Sequence, residues 1–141
     1  MQEMTREEYL AFLSEGHRTG KLATVRKDGR PHVVPIWFVL DGDDLIFTTW
    51  HTTVKAANLH RDPRVCLCVD DQEPPYAFVQ IEGIATIETD LSEMLQWATR
   101  IAGRYMGADL AEVFGRRNAV AGELLVRVKP IKVVAIKGMA D

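Results

Sequence analysis

Apolar and polar positions alternate with two different periods along this chain. Tyr9, Leu10 and Leu13 form a short apolar stripe at helical spacing. Met94, Trp97, Ala98, Ile101 and Tyr105 form a longer one. Between these stripes, extended apolar runs predict strands over Leu22 to Val25, His32 to Leu40, Leu45 to Thr49, Arg64 to Val69 and Tyr76 to Ile87, and a last run predicts one from Leu124 to Ile136. Lys27-Asp28-Gly29-Arg30 and Asp41-Gly42-Asp43-Asp44 read as hairpin turns, because Asp-Gly pairs tolerate positive φ. Pro35 cannot donate to a ladder, so it marks an edge, a bulge or a break facing a ligand. Gly83 marks a kink or bulge in the long fifth strand, and Pro130 interrupts the sixth.

Helix boundaries are written in side-chain chemistry. Thr5 and Glu8 have the spacing of a capping box, so the first helix starts there and ends near Gly16. A second helix is expected from Thr53 to Leu59, closed by Arg61-Asp62-Pro63 because the residue before a proline avoids the helical region. Ser92 is expected to cap the third helix, and a short fourth covers Asp109 to Phe114. Six strands joined mainly as hairpins, with helices at the periphery, predict an antiparallel barrel, a closure that removes exposed edges.

The bulk numbers narrow the partners. A chain of 141 residues is expected to be one domain over residues 1–141. Its net charge of −3 argues against nucleic acid, which selects a basic face. No apolar run approaches the roughly 20 residues of a membrane span, and the opening MQEMTREEYL lacks the apolar core of a secretory signal. Cys66 and Cys68 lie two apart on a predicted strand, sharing a face and badly placed to bridge each other. They read as small buried thiols of a reducing, cytoplasmic setting, with no further metal ligands at a recognisable spacing.

Chemistry concentrates between Leu22 and Pro63. Thr48, Thr49, Thr52 and Thr53 cluster where the third strand gives way to a helix, and Lys55 falls in that helix's first turn. Short hydroxyls, free helix amides and one ammonium are the parts of a phosphate site. The alternative is that Lys55 is a solvated helix lysine and the threonines are strand and cap residues. His51 reads as a surface loop residue, His32 as structural, and Arg104, Arg116 and Arg117 as solvated arginines near helix ends. No Ser-His-Asp order, H-E-x-x-H, P-loop or G-x-G-x-x-G occurs, so no catalytic side chain is assigned.

An ordered series of segments resembles the flavin-binding split β-barrel superfamily that includes pyridoxamine 5′-phosphate oxidase. More narrowly, it resembles the small split-barrel proteins that use the deazaflavin coenzyme F-420. The series is Leu22-Ala23-Thr24-Val25, Asp28 through Phe38, Phe47-Thr48-Thr49, Lys55 through Val65 and, more weakly, Glu82-Gly83-Ile84-Ala85. The resemblance covers Leu22 to Thr89, and the C-terminal third matches in layout alone. It implies a six-stranded antiparallel split β-barrel and a homodimer with two cofactor sites at the subunit interface. It also implies that the lysine at position 55 binds the cofactor phosphate. Pro35, Ile36 and Trp37 would wall the ring, with a core aromatic as the alternative for Trp37, and Tyr76 and Phe78 would reach the partner subunit's cofactor or else serve as ordinary interface packing. The implied activity is hydride transfer between coenzyme F-420 and a small organic substrate. FMN is the alternative cofactor, and a carrier without turnover the alternative role. Val54 before the lysine and a C-terminus without dense basic residues depart from the vitamin B6 oxidase, which argues against pyridoxamine phosphate as substrate.

Overall fold

Two long strands organise the molecule. The computed structural model describes residues 1–141. In chain order its elements are β1 (Gln2–Glu3), α1 (Arg6–Ser14), β2 (Gly20–Val25), β3 (Pro31–Ile36), β4 (Val39–Asp41), β5 (Asp44–Trp50), α2 (Val54–Arg61), β6 (Arg64–Asp71), β7 (Ala77–Glu88), α3 (Leu91–Met106), α4 (Ala111–Asn118) and β8 (Glu123–Lys137), with a single 3-10 turn at Ala108–Leu110 before α4. β7 and β8 pair antiparallel from Phe78↔Ile136 to Glu88↔Leu125. The start of β8 also pairs with β5, from Leu45↔Val128 to Trp50↔Glu123. The sheet runs β3-β2-β6-β7-β8-β5-β4, with β1 added to the far end of β8. Both ends of that path stay open, so the barrel is split rather than closed.

The bend that wraps the sheet sits where the sequence places it. The β7–β8 register shifts between Glu82 and Gly83. A Cβ at Gly83 would lie 2.6 Å from Val128 Cγ1 and 2.8 Å from the Lys129 carbonyl oxygen, so only glycine lets the strands close there. Pro130 stands opposite Gly83 in this register, and β8 passes through it unbroken. The interior takes one side of each pleat: Leu22, Phe38, Phe47, Leu67, Val79, Ile81 and Val126 are buried in one cluster. β5 is buried on both faces, since Ile46 turns outward onto Met94 and Trp97 of α3.

The capping box at Thr5 and Glu8 forms with both of its hydrogen bonds. Three local expectations need correction. The chain forms eight strands, not six, because the run His32 to Leu40 breaks after Ile36 into β3 and β4 and a two-residue β1 is added. The cap of α3 is Asp90, whose carboxylate accepts from the amides of Ser92 and Glu93 at 2.9 and 3.1 Å; Ser92 lies inside the helix. Cys66 and Cys68 do share a face and are free, but they are half-buried on the outside of β6, while Val65, Leu67 and Val69 point inward. No helix is long and apolar enough to cross a membrane.

Candidate functional site

The turn from β5 into α2 is shaped by its threonines. Thr53 is the N-cap of α2, with extended backbone, and its hydroxyl accepts from the Ala56 amide at 3.3 Å. The same hydroxyl donates to the Trp50 carbonyl at 2.9 Å. Thr49 Oγ1 lies 2.9 Å from Thr53 Oγ1 and, with Thr53's proton directed at Trp50, is the donor. Thr49 is buried, so these two hydroxyls build the turn from inside. Thr52 is exposed at its tip. The turn is fixed from the far end of the chain as well, because the His51 amide and its Nδ1 both lie 2.9 Å from the Gly122 carbonyl oxygen.

With Ala56 satisfied by the cap, and Ala57 bonded to the Thr53 carbonyl at 3.1 Å, the amides of Val54 and Lys55 are left as the free donors of the first turn. The Lys55 side chain is half-buried beside them. Burial pushes its ammonium down from the ordinary lysine value, and Glu123 at the start of β8 opposes that shift as a counter-charge. Glu123 is shifted in the other direction. Burial pushes its carboxyl up, against the opposing influence of the Thr48 hydroxyl and the charge of Lys55. A half-buried ammonium that donates to no protein group, next to free helix amides, can take an anion. Arg26, Lys27, Arg30 and Arg61 line an adjoining cleft of about 640 Å³ between α2 and the β2–β3 turn, with Asp28 paired to Arg30 as the one acid, so positive charge is in excess here in a chain of net charge −3.

The other expected site residues divide into two groups. Pro35 and Ile36 end β3, with Pro35 exposed on the edge strand opposite Lys21 and Ile36 buried in the core. Trp37 follows, 43% exposed, with its indole stacked on Tyr105 at 5.0 Å between centroids. Val39↔Ile46 is the first pair of β4 with β5, so this break lies at the Thr48 end of the hairpin. Tyr76 is not brought to these residues within one chain. It precedes β7 near the C-terminal end of β8, whereas Glu123 opens β8. There its backbone adopts φ +64° and its carbonyl accepts from Met139. Phe78 begins the same strand, half-buried opposite Ile136.

Several contributors have no local signal. Glu123 is an ordinary strand acid until the sheet register brings it across from Trp50. Arg104 is not solvated as expected, because it donates to three backbone carbonyls. His32 Nδ1, in β3 opposite Thr24, is buried with no hydrogen-bond partner.

The family model described as pyridoxamine 5′-phosphate oxidase matches residues 5–137. The chain belongs to that family. An F-420H(2)-dependent biliverdin reductase of Mycobacterium tuberculosis is 34% identical over 101 residues, spanning 70% of this chain and 71% of the relative. A solved structure of a conserved hypothetical protein from Mycobacterium tuberculosis superposes with a TM-score of 0.84 at 25% identity, over 97% of this chain and 87% of that one. A structure named as an F-420 reductase gives a TM-score of 0.69 at 29% identity, over 87% and 94% of the two chains. The resemblance seen in the sequence, to the superfamily and to its deazaflavin branch, is borne out, and so is the split-barrel fold.

Proposed function

We propose that this pyridoxamine 5′-phosphate oxidase family member is an oxidoreductase that exchanges hydride between coenzyme F-420 and a small organic substrate. The observation that carries the reading is the Lys55 ammonium, half-buried, donating no hydrogen bond to the protein, in the helix turn that leaves the amides of Val54 and Lys55 free. That donor set fits a phosphate. A cation and helix-terminal N–H groups supply charge and direction together. Lys55 and the first turn of α2 would hold the phosphate, with Thr52 and Thr48 within the same turn region and Thr49 and Thr53 keeping its shape. Pro35, Ile36 and Trp37 would border the ring.

When bound, the cofactor supplies the hydride chemistry, and the protein contributes binding, orientation and electrostatics. No side-chain acid or base is needed for that division of labour. Similarity to an F-420H(2)-dependent reductase supports the deazaflavin. FMN is the second reading, since the family model is that of the pyridoxamine phosphate oxidase and a phosphate site of this kind accepts either tail. The proposal includes a homodimer with a site at the interface, in which Tyr76 and Phe78 approach the partner subunit's cofactor; their distance from Lys55 along β8 within one chain is consistent with that role. The free, half-exposed cysteines fit a reducing compartment such as the cytoplasm.

The test is direct titration of the purified protein with coenzyme F-420 and with FMN. Tight binding of the deazaflavin followed by reduction of an acceptor panel supports the reading. Tight binding without turnover makes the chain a carrier. Binding of FMN alone decides for the second cofactor, and binding of neither overturns both.

A further inference from the structure

The break between β3 and β4 has a cause outside the strands. In a continuous strand the backbone groups of Phe38 would join a ladder. Here its N–H donates to Tyr105 Oη at 3.2 Å and its carbonyl accepts from Arg104 Nη1 at 2.8 Å. Both side chains come from the last turn of α3. Arg104 also donates through Nε to the Gly16 carbonyl at 2.9 Å and through Nη2 to the Leu13 carbonyl at 2.7 Å. One guanidinium therefore joins the end of α1, the loop after it and the strand break, and its ligands are all carbonyl oxygens. Tyr105 adds a bond from Oη to the Arg18 carbonyl at 2.8 Å.

This knot fixes a side chain that the core does not need. Phe38 is fully buried, so its ring and its two backbone bonds together anchor the segment. Its neighbour Trp37 is 43% exposed, and its indole lies parallel to the Tyr105 ring, with an interplanar angle of 0°. A large apolar ring left half in water, on a backbone held at both its neighbouring polar groups, is a rigid platform for another flat apolar group. A platform ordered before binding lowers the ordering cost of binding.

We infer that Arg104 and Tyr105 are positioning residues for the cofactor ring, holding Phe38 and Trp37 so that the indole offers the ring a fixed face. The inference rests on the cofactor reading above. It gives the C-terminal helices a task at the site: α3 sets the ring wall, as the loop before β8 sets the phosphate turn through Gly122.

The experiment compares wild type with Tyr105→Phe, which keeps the stack and removes the hydroxyl, and with Arg104→Lys, which keeps the charge and loses the three-way fork. Titrations with coenzyme F-420 and FMN give affinity, the absorption band of the bound cofactor reports its ring environment, and the indole N–H resonance of Trp37 reports the wall itself. Each variant is expected to weaken binding about two- to tenfold. The bound cofactor's band should move toward that of the free cofactor, and the Trp37 resonance should shift while those of Trp50 and Trp97 hold. Trp37→Ala, at an exposed position, should reproduce the affinity and spectral changes, and it decides the matter should Arg104→Lys fail to fold. Wild-type affinity and an unchanged bound spectrum in Tyr105→Phe, with the Trp37 resonance displaced, would overturn the inference and leave the cofactor reading standing. Failure of the wild type to bind either cofactor overturns both, and shows itself before any variant is made.

Discussion

Lys55 and Glu123 face each other as half-buried opposite charges that do not close into a hydrogen-bonded pair. Burial lowers the lysine and raises the glutamate, and each acts on the other through charge alone. The Thr48 hydroxyl and the charge of Lys55 both oppose the rise of the carboxyl. The ammonium donates to no protein group, and it belongs to the first turn of a helix whose leading amides are also free. This is a poor arrangement for stability and a good one for receiving an anion.

Replacing Lys55 by alanine is therefore expected to cost binding rather than folding. A hydrogen bond involving a charged group contributes about 1.5–3 kcal/mol, so Lys55→Ala should weaken coenzyme affinity roughly 10- to 100-fold. The melting temperature without ligand should hardly change, because the variant removes a desolvated charge that makes no hydrogen bond. Fluorescence titration and a thermal melt measure the two effects. Unaltered affinity would place the phosphate somewhere else.

Glu123 makes the same site sensitive to pH. Its folded-state value is raised, so its contribution to stability is fully present below the unfolded carboxyl value and is lost as pH rises through the folded value. An anionic ligand next to Lys55 adds repulsion to the ionised carboxylate. Affinity for the coenzyme is thus expected to rise as pH falls through the raised value. Glu123→Gln should bind about fivefold more tightly at neutral pH and lose its advantage in acid. The ratio of variant to wild-type affinity across pH cancels the titration of the ligand itself. A ratio that stays flat would remove Glu123 from the site's electrostatics.

What the sequence shows and what it hides follow the range of the interactions. The Thr5–Glu8 box is decided within one turn, and the bend at Gly83 by the lack of a side chain at that residue, so both are legible. The position of Lys55 after a threonine cap is legible for the same reason. The break at Trp37 is legible only in part. Pro35 marks an edge, a bulge or a break without deciding among them, because the hydrogen bonds that hold the break come from Arg104 and Tyr105, 66 and 67 residues away in the chain. Asp90 displaced Ser92 as the cap because its carboxylate accepts from both Ser92 and Glu93, a competition that spacing alone does not rank. Glu123 became visible only through the pairing of β5 with β8. Alternation put Cys66 and Cys68 on one face of β6, but with Val65, Leu67 and Val69 on the other face both sides read as apolar, so which one turns inward was not legible.

Gly122 ties the phosphate turn to the C-terminal part of the chain, and it must be glycine for two reasons. Its φ is +101°, and an added Cβ would lie 2.5 Å from Trp50 Cη2 and 2.8 Å from Trp50 Cζ3. Its carbonyl accepts from His51. Gly122→Ala is expected to lower stability by about 1–3 kcal/mol, from backbone strain and displacement of the indole. Because the displaced segment carries the turn into α2, coenzyme affinity should fall as well. Denaturant unfolding and tryptophan emission check the first effect, and titration the second. A variant with wild-type stability would mean that the loop can relax without moving Trp50.

The seating of α2 depends on a polar bond in the barrel interior. Asn58 is 3% exposed and Thr24 is 1% exposed, and the Asn58 amide nitrogen donates to the Thr24 hydroxyl at 2.9 Å. Asn58 Oδ1 accepts from Arg61 Nη2 at 3.1 Å, and Arg61 also donates to the Val25 carbonyl. These bonds fasten the helix that carries Lys55 to β2. Asn58→Ala strips partners from buried polar groups, so it should cost about 1–3 kcal/mol of stability. Replacing both ends with apolar groups leaves fewer groups unpaired. Thr24→Val combined with Asn58→Leu should therefore be less destabilised than the sum of the two single variants. Asn58→Ala should also loosen coenzyme binding, by less than Lys55→Ala does, since it shifts the lysine rather than removing it. Strictly additive stabilities in the double-mutant cycle would show that the Asn58–Thr24 bond does not couple the helix to the sheet.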